Sequence, residues 1–135
     1  MAEYSRPLPV PDLDSEPYWQ AAHEHKLMIP KCQDCGHFEF PPRHYCRNCR
    51  SERLEWTEMS GRGSVYTFSI MRDTLVRGLE PPYVVARVEL EEQEGLQLVS
   101  NILECPVDQV RIGMPVQVMF EDVNDKITLP QFKPR

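Results

Sequence analysis

Cys32, Cys35, Cys46 and Cys49 stand in the pattern C-x2-C-x10-C-x2-C. Each CxxC pair can grip one metal ion from a tight turn, and two such turns close a tetrahedron. Gly36 follows the first pair directly, which suits the sharp turn that aims backbone amides at thiolates. Lys31, Arg47 and Arg50 flank the ligands and would offset their negative charge. Thiolate donors in a tetrahedron favour zinc over iron. Two disulfides are the alternative, and a redox-active CxxC is a third reading. Four cysteines leave no open position for substrate or water, so the predicted metal is structural. His37 and His44 lie close by and read as surface residues. Cys105, before Pro106, reads as a small buried apolar residue with no histidine near it in sequence.

Other catalytic constellations do not stand out. There is no HExxH, no phosphate loop and no convincing Ser-His-Asp or Cys-His pairing. His23 and His25 are candidate general bases without an evident partner. The net charge of −6 over 135 residues argues against a non-specific nucleic-acid binder. The longest apolar run is four residues, Tyr83 to Ala86, far below the roughly 20 that cross a bilayer. The first residues carry Glu3, Arg6 and three prolines, so no signal peptide is expected and a cytoplasmic location follows.

The elements that must hold these residues are short. Asp14-Ser15-Glu16-Pro17 predicts a helix start, with the helix running to about Lys26. Tyr18, Trp19 and Ala22 share one side of it, and the aromatic pair reads either as a docking face or as ribbon core. Leu27 to Ile29 reads as a strand entering the first knuckle, and Leu54 to Glu58 alternates as a strand leaving the second. Gly61-Arg62-Gly63 marks a boundary between a unit over 1–60 and a second over 61–135. Strands are predicted at Val65–Ile70, Tyr83–Leu90, Leu96–Leu103, Val116–Glu121 and Ile127–Leu129, with a brief turn or helix from Val107 to Ile112. This order predicts a mostly β chain ending in a small five-stranded OB-fold barrel, a small sandwich being the rival. The 13 prolines cluster at turns and chain ends.

A family resemblance rests on segments spread along nearly the whole chain. They are Pro17-Tyr18-Trp19, the two cysteine knuckles, Phe40-Pro41-Pro42-Arg43, Trp56, Ser60 to Tyr66, Pro82 to Ala86, Arg111 to Val116 and Phe120. In these the chain resembles an acyl-CoA-associated family, formerly catalogued as a domain of unknown function. That family joins a rubredoxin-like zinc ribbon to an OB-fold barrel. The resemblance implies a companion subunit of a thiolase of the sterol-carrier-protein type, with an enoyl-CoA hydratase or acyl-CoA retro-aldolase as alternative partner. It implies a CoA-thioester context, in lipid or aromatic acid degradation, and no catalytic role for the chain alone. Arginines suit CoA phosphates because their planar fork bonds oxygens in pairs. Candidates for CoA or partner contact are therefore Arg43, and Arg72, Arg77 and Gly78 in the loop from Met71 to Pro82, with Tyr18, Trp19, Phe40 and Tyr83 as aromatic contacts. A rival of another class is a single-stranded nucleic-acid module, with Tyr66, Phe68 and Tyr83 stacking on bases. The acids at 89, 91, 92, 94, 104, 121 and 122 weigh against it.

Overall fold

The computed structural model describes residues 7–73 and 78–135. One helix, α1 (Glu16–His23), precedes a two-stranded ribbon of β1 (Met28–Cys32) and β2 (Leu54–Glu58). Both knuckles lie between these strands. A five-stranded antiparallel sheet follows: β3 (Arg62–Met71), β4 (Tyr83–Leu90), β5 (Gln97–Asn101), β6 (Pro115–Asp122) and β7 (Thr128–Pro134). Its order is β5-β4-β3-β6-β7. A parallel bridge from Ile102 to Phe132, with the Leu103 amide donating to the Phe132 carbonyl at 2.7 Å, joins the two outer strands. That closure is the OB barrel, and the sandwich alternative falls away.

Period-two burial explains the barrel. In β4, Val84, Ala86, Val88 and Leu90 point inward while the residues between them do not. They meet Val65, Leu98, Val116 and the fully buried Phe132. Truncating an aromatic at such a site costs about 3–5 kcal/mol. The boundary at Gly61 is a close approach: a Cβ there would sit 2.3 Å from the Val118 Cγ1, and φ is +79°. Only glycine meets both conditions.

Several element ends differ from expectation. The helix stops at His23, three residues early, because His25 turns left-handed (φ 61°). The His25 and Lys26 amides then bond back to the Ala22 and Ala21 carbonyls, both at 2.9 Å, which closes the last turn. At the other end, Asp12 and Ser15 exchange bonds: the Ser15 amide donates to Asp12 Oδ1 at 2.8 Å and the Asp12 amide donates to Ser15 Oγ at 3.1 Å. The Ser15 amide holds the Asp12 carboxyl below its ordinary range. The brief helix is a single 3-10 turn, Val107–Gln109. Strand β7 is longer than expected and takes in Pro130 and Pro134, which pair with Phe120 and Val116 of β6.

The helix and ribbon share one buried cluster with the barrel, through Tyr18, Leu27 and Ile29, and add polar contacts around it. The Gln93 side chain accepts from the Phe38 amide (2.9 Å) and donates to the Phe38 carbonyl (3.1 Å). The His25 Nε2 lies 3.0 Å from both oxygens of Asp122, and its ring stacks on Phe120.

Candidate metal centre

The four cysteines converge. Their sulfurs all lie within 4.8 Å of one another, with Cys32 to Cys49 at 3.5 Å and Cys35 to Cys46 at 3.6 Å. A tetrahedron with metal–sulfur bonds of about 2.3 Å has edges of about 3.8 Å, so the donor set fits zinc. Cys32 and Cys46 are buried and Cys35 and Cys49 face outward.

The two knuckles repeat one geometry. The Gly36 amide bonds to the Cys32 carbonyl at 2.9 Å, and the Arg50 amide bonds to the Cys46 carbonyl at 2.7 Å. The Cys32 amide reaches the His37 carbonyl and the Cys46 amide reaches the Ser51 carbonyl, both at 2.8 Å. Gly36 and Arg50 occupy equivalent left-handed positions, φ 79° and 66°. In each knuckle this turn aims amides at sulfur.

Those donors set the thiol acidities in the metal-free protein. The Asn48 side chain, donating at 3.4 Å, and the His37 amide bring Cys35 down to about 6. At Cys32 burial acts upward, but the Cys35 and Asp34 amides outweigh it and the thiol is lowered. At Cys49 the Ser51 amide pulls downward, yet the crowd of neighbouring sulfurs, Cys32 foremost, and burial push it up to about 12. Metal binding needs the sulfurs as thiolates, so it is coupled to the release of thiol protons.

Two of the three flanking cations have partners other than sulfur. Arg47 turns away from the sulfurs: its guanidinium donates to Glu39 and, at 3.2 Å, to the Phe40 carbonyl. Lys31 sits over the Phe38 ring, 5.5 Å from its centroid. Glu39 itself is fully buried and also accepts the Arg47 amide at 3.1 Å. It ties the second knuckle to the chain between the knuckles. Sequence reading had passed it over, because nothing local distinguishes a buried glutamate from a solvated one. His37 lies 3.6 Å from Glu39 and is no ligand, and His44 is exposed.

The remaining candidates do not share one place. Tyr18 is core, edge-on to Trp19 (5.0 Å) and tilted against Phe40 (5.5 Å), and burial pushes its phenol up. Trp19 keeps surface and lines a cleft with His23, Lys126 and Ile127. Arg43 is exposed in a shallow groove with Glu52 and Trp56. Arg72 is exposed at the end of β3, Tyr83 is half-buried at the start of β4, and Gly78 has φ 84°. Arg77 lies outside the described residues. A cleft of about 440 Å³ brings Arg47 and Arg87 together beside Phe40 and Val99. No sequence signal pairs two arginines that far apart.

With ribbon and barrel in place, family models account for both. Residues 19–55 match the ChsH2 rubredoxin-like zinc ribbon domain and residues 56–121 the ChsH2 C-terminal OB-fold domain. The chain belongs to the DUF35 family. A DUF35 domain-containing scaffold protein of Methanocaldococcus jannaschii is 34% identical, over 79% of this chain and 77% of that protein. The benzoylsuccinyl-CoA thiolase subunit BbsA of Geobacter metallireducens is 33% identical, over 89% and 88%. A probable enoyl-CoA hydratase alpha subunit of Thermomonospora curvata is 35% identical over 96% of this chain, which spans only 40% of that subunit. Among solved structures, the DUF35 chain of an Ltp2-ChsH2 aldolase superposes with a TM-score of 0.85 at 34% identity, covering 94% of this chain and 98% of that one. No helix among the described residues is long and apolar enough to cross a membrane.

Proposed function

We propose that this DUF35 chain is a non-catalytic, zinc-binding companion subunit of a cytoplasmic acyl-CoA enzyme, with a thiolase of the sterol-carrier-protein type as its partner. One observation carries the reading: the cysteine cluster, the sole metal-ligating cluster among the described residues, brings four sulfurs within 4.8 Å of one another, a donor set that would close a tetrahedron around one metal ion. Such a metal orders a ribbon and offers substrate no coordination position. The names of relatives support the CoA-thioester context. The thiolase partner is favoured over a hydratase because BbsA matches this chain along most of its own length, whereas the hydratase subunit carries much further sequence. An aldolase of related assembly is the second reading, supported by the nearly complete overlap with the DUF35 chain of the Ltp2-ChsH2 complex.

In this reading residues 1–60 are the zinc module and 61–135 the barrel, divided at Gly61. Arg43, Arg72 and Arg77, and at their own positions Gly78, Trp19, Phe40 and Tyr83, are the contacts proposed for the partner or the nucleotide end of its CoA thioester. Tyr18 supports Trp19 and Phe40 from behind. The test is reconstitution of the full chain with thiolase, aldolase and hydratase subunits. The chain alone turns over no acyl-CoA, and one enzyme class gains activity with it. Arg72→Ala and Arg77→Ala then raise KM while assembly stays intact, reporting lost ground-state binding. Turnover by the isolated chain, abolished by changing one of its own residues, overturns the reading.

A further inference from the structure

Strand β3 pairs along its whole length with β4, from Gly63 opposite Leu90 to Met71 opposite Tyr83. Its other edge is used for much less. It meets β6 only at Arg62, Gly63 and Ser64, and the turn before β6 bonds to Val65 through the Met114 carbonyl and the Gly113 amide. Beyond Val65 the strand bulges at Tyr66, where its register against β4 shifts. From Thr67 to Met71 no strand among the described residues lies on that edge.

The register shows which main-chain groups are left. The Val84 carbonyl accepts from the Asn101 side chain at 2.8 Å, so Val84 faces β5 and turns its back on β3. Its cross-strand partner is Ile70. In an antiparallel ladder the two residues of such a pair both direct N–H and C=O away from each other. Ile70 therefore presents its amide and carbonyl outward, and by alternation so does Phe68. Thr67, Ser69 and Met71 carry the bonds to β4.

The window Thr67-Phe68-Ser69-Ile70-Met71 has no charge and no proline, the usual protections of a free edge. The free edge of β2, by contrast, carries Glu55 and Glu58. The Phe68 and Ile70 side chains pack only partly against the core, while Thr67 and Ser69 are exposed. Four outward main-chain groups and a line of half-covered apolar side chains match one kind of occupant, an extended segment.

We propose that the β3 edge at Phe68 and Ile70 is a strand-addition site that takes a short extended segment of the acyl-CoA enzyme subunit. This deepens the companion-subunit reading and rests on it. The incoming segment pairs its backbone with Phe68 and Ile70 and places an apolar side chain on their face. A second copy of this chain fits less well. Antiparallel self-pairing centred on Ser69 would drive each copy's Asp73 end onto the other's Gly113 turn, which already stands on the edge at Val65. The window also leads straight into Arg72 and the loop proposed to reach the partner.

The test uses the full chain reconstituted with the thiolase-type subunit. Amide exchange in the wild-type chain requires no substitution: Phe68 and Ile70 exchange quickly in the free chain and slow by about a hundredfold in the complex. Thr67 and Ser69 are protected in both. Phe68→Pro and Ile70→Pro delete only outward N–H groups and spare the ladder to β4. They weaken assembly at least about tenfold beyond Phe68→Ala and Ile70→Ala, with zinc content unchanged. A complex in which Phe68 and Ile70 stay unprotected, and the proline variants assemble like the alanine ones, overturns the edge site and leaves the companion role standing. Failure of every thiolase, aldolase and hydratase subunit to bind overturns both. Protection of these amides in the free chain, together with a dimer mass, assigns the edge to a second copy and also overturns the proposal.

Discussion

Arg50 stands in the second knuckle where Gly36 stands in the first. Both are left-handed, and both send an amide back to the leading cysteine's carbonyl. An arginine with positive φ bears a steric cost of about 1–2 kcal/mol that glycine does not. No atom lies within 4 Å of a Cβ built on Gly36, so backbone conformation alone separates the two positions. Gly36→Ala is expected to destabilise the zinc-loaded protein by about 1 kcal/mol, and Arg50→Gly to stabilise it by about 0.5 kcal/mol once unfolded-chain entropy is included. Thermal unfolding of the two variants checks this, and shifts of the same sign would refute it.

Native, reduced protein is expected to hold about one zinc per chain. Cys46 is fully buried among the ligands, so Cys46→Ser removes a thiolate from the interior of the site. Zinc content falls in that variant, and the ribbon loses order together with the metal because binding and folding are coupled. Elemental analysis with circular dichroism measures both at once.

Glu39→Ala strips the Arg47 amide and guanidinium of their carboxylate. The second knuckle loosens, and zinc affinity is expected to fall by about tenfold or more, the usual scale for groups that orient ligands. Competition against a chromophoric chelator gives the value. Unchanged affinity would show that the turn alone positions Cys46 and Cys49.

Asp122 links the end of α1 to the barrel. The Thr128 hydroxyl, at 2.6 Å, and then His25 hold its carboxyl below the ordinary value. A depressed folded pKa contributes stability above the unfolded pKa, and that contribution disappears as pH falls through the folded one. Asp122→Asn should therefore lower the melting temperature near pH 7, with the gap to wild type closing as pH falls below the ordinary carboxylate range and the lowered Asp122 carboxyl is protonated in both states. A gap that widens on acidification would contradict the linkage.

Strands β2 and β4 were legible to the residue, because alternation and β-branched content mark them without help. The helix start was legible in place but not in mechanism: Ser15 makes no side-chain cap bond into the helix and instead exchanges bonds with Asp12. Its early end depended on His25 turning left-handed to reach Asp122, a contact 97 residues away in sequence. Length of β7 was hidden because prolines read as terminators, whereas an outer strand paired mainly on one side tolerates them.

By itself the sequence determined the metal chemistry and the architecture. Cysteine spacing is a local property, and so is the period-two burial that builds a barrel. Only the tertiary structure decided what those elements leave exposed. It buried Glu39 and gave it Arg47, moved Tyr18 into the core while Trp19 kept surface, and set Arg47 beside Arg87. It also ended β3–β6 pairing at Ser64, which leaves the main-chain groups of Phe68 and Ile70 on an edge that no strand among the described residues covers. Each of these depends on which distant segments pack together and in what register, and no local pattern of residue types encodes that.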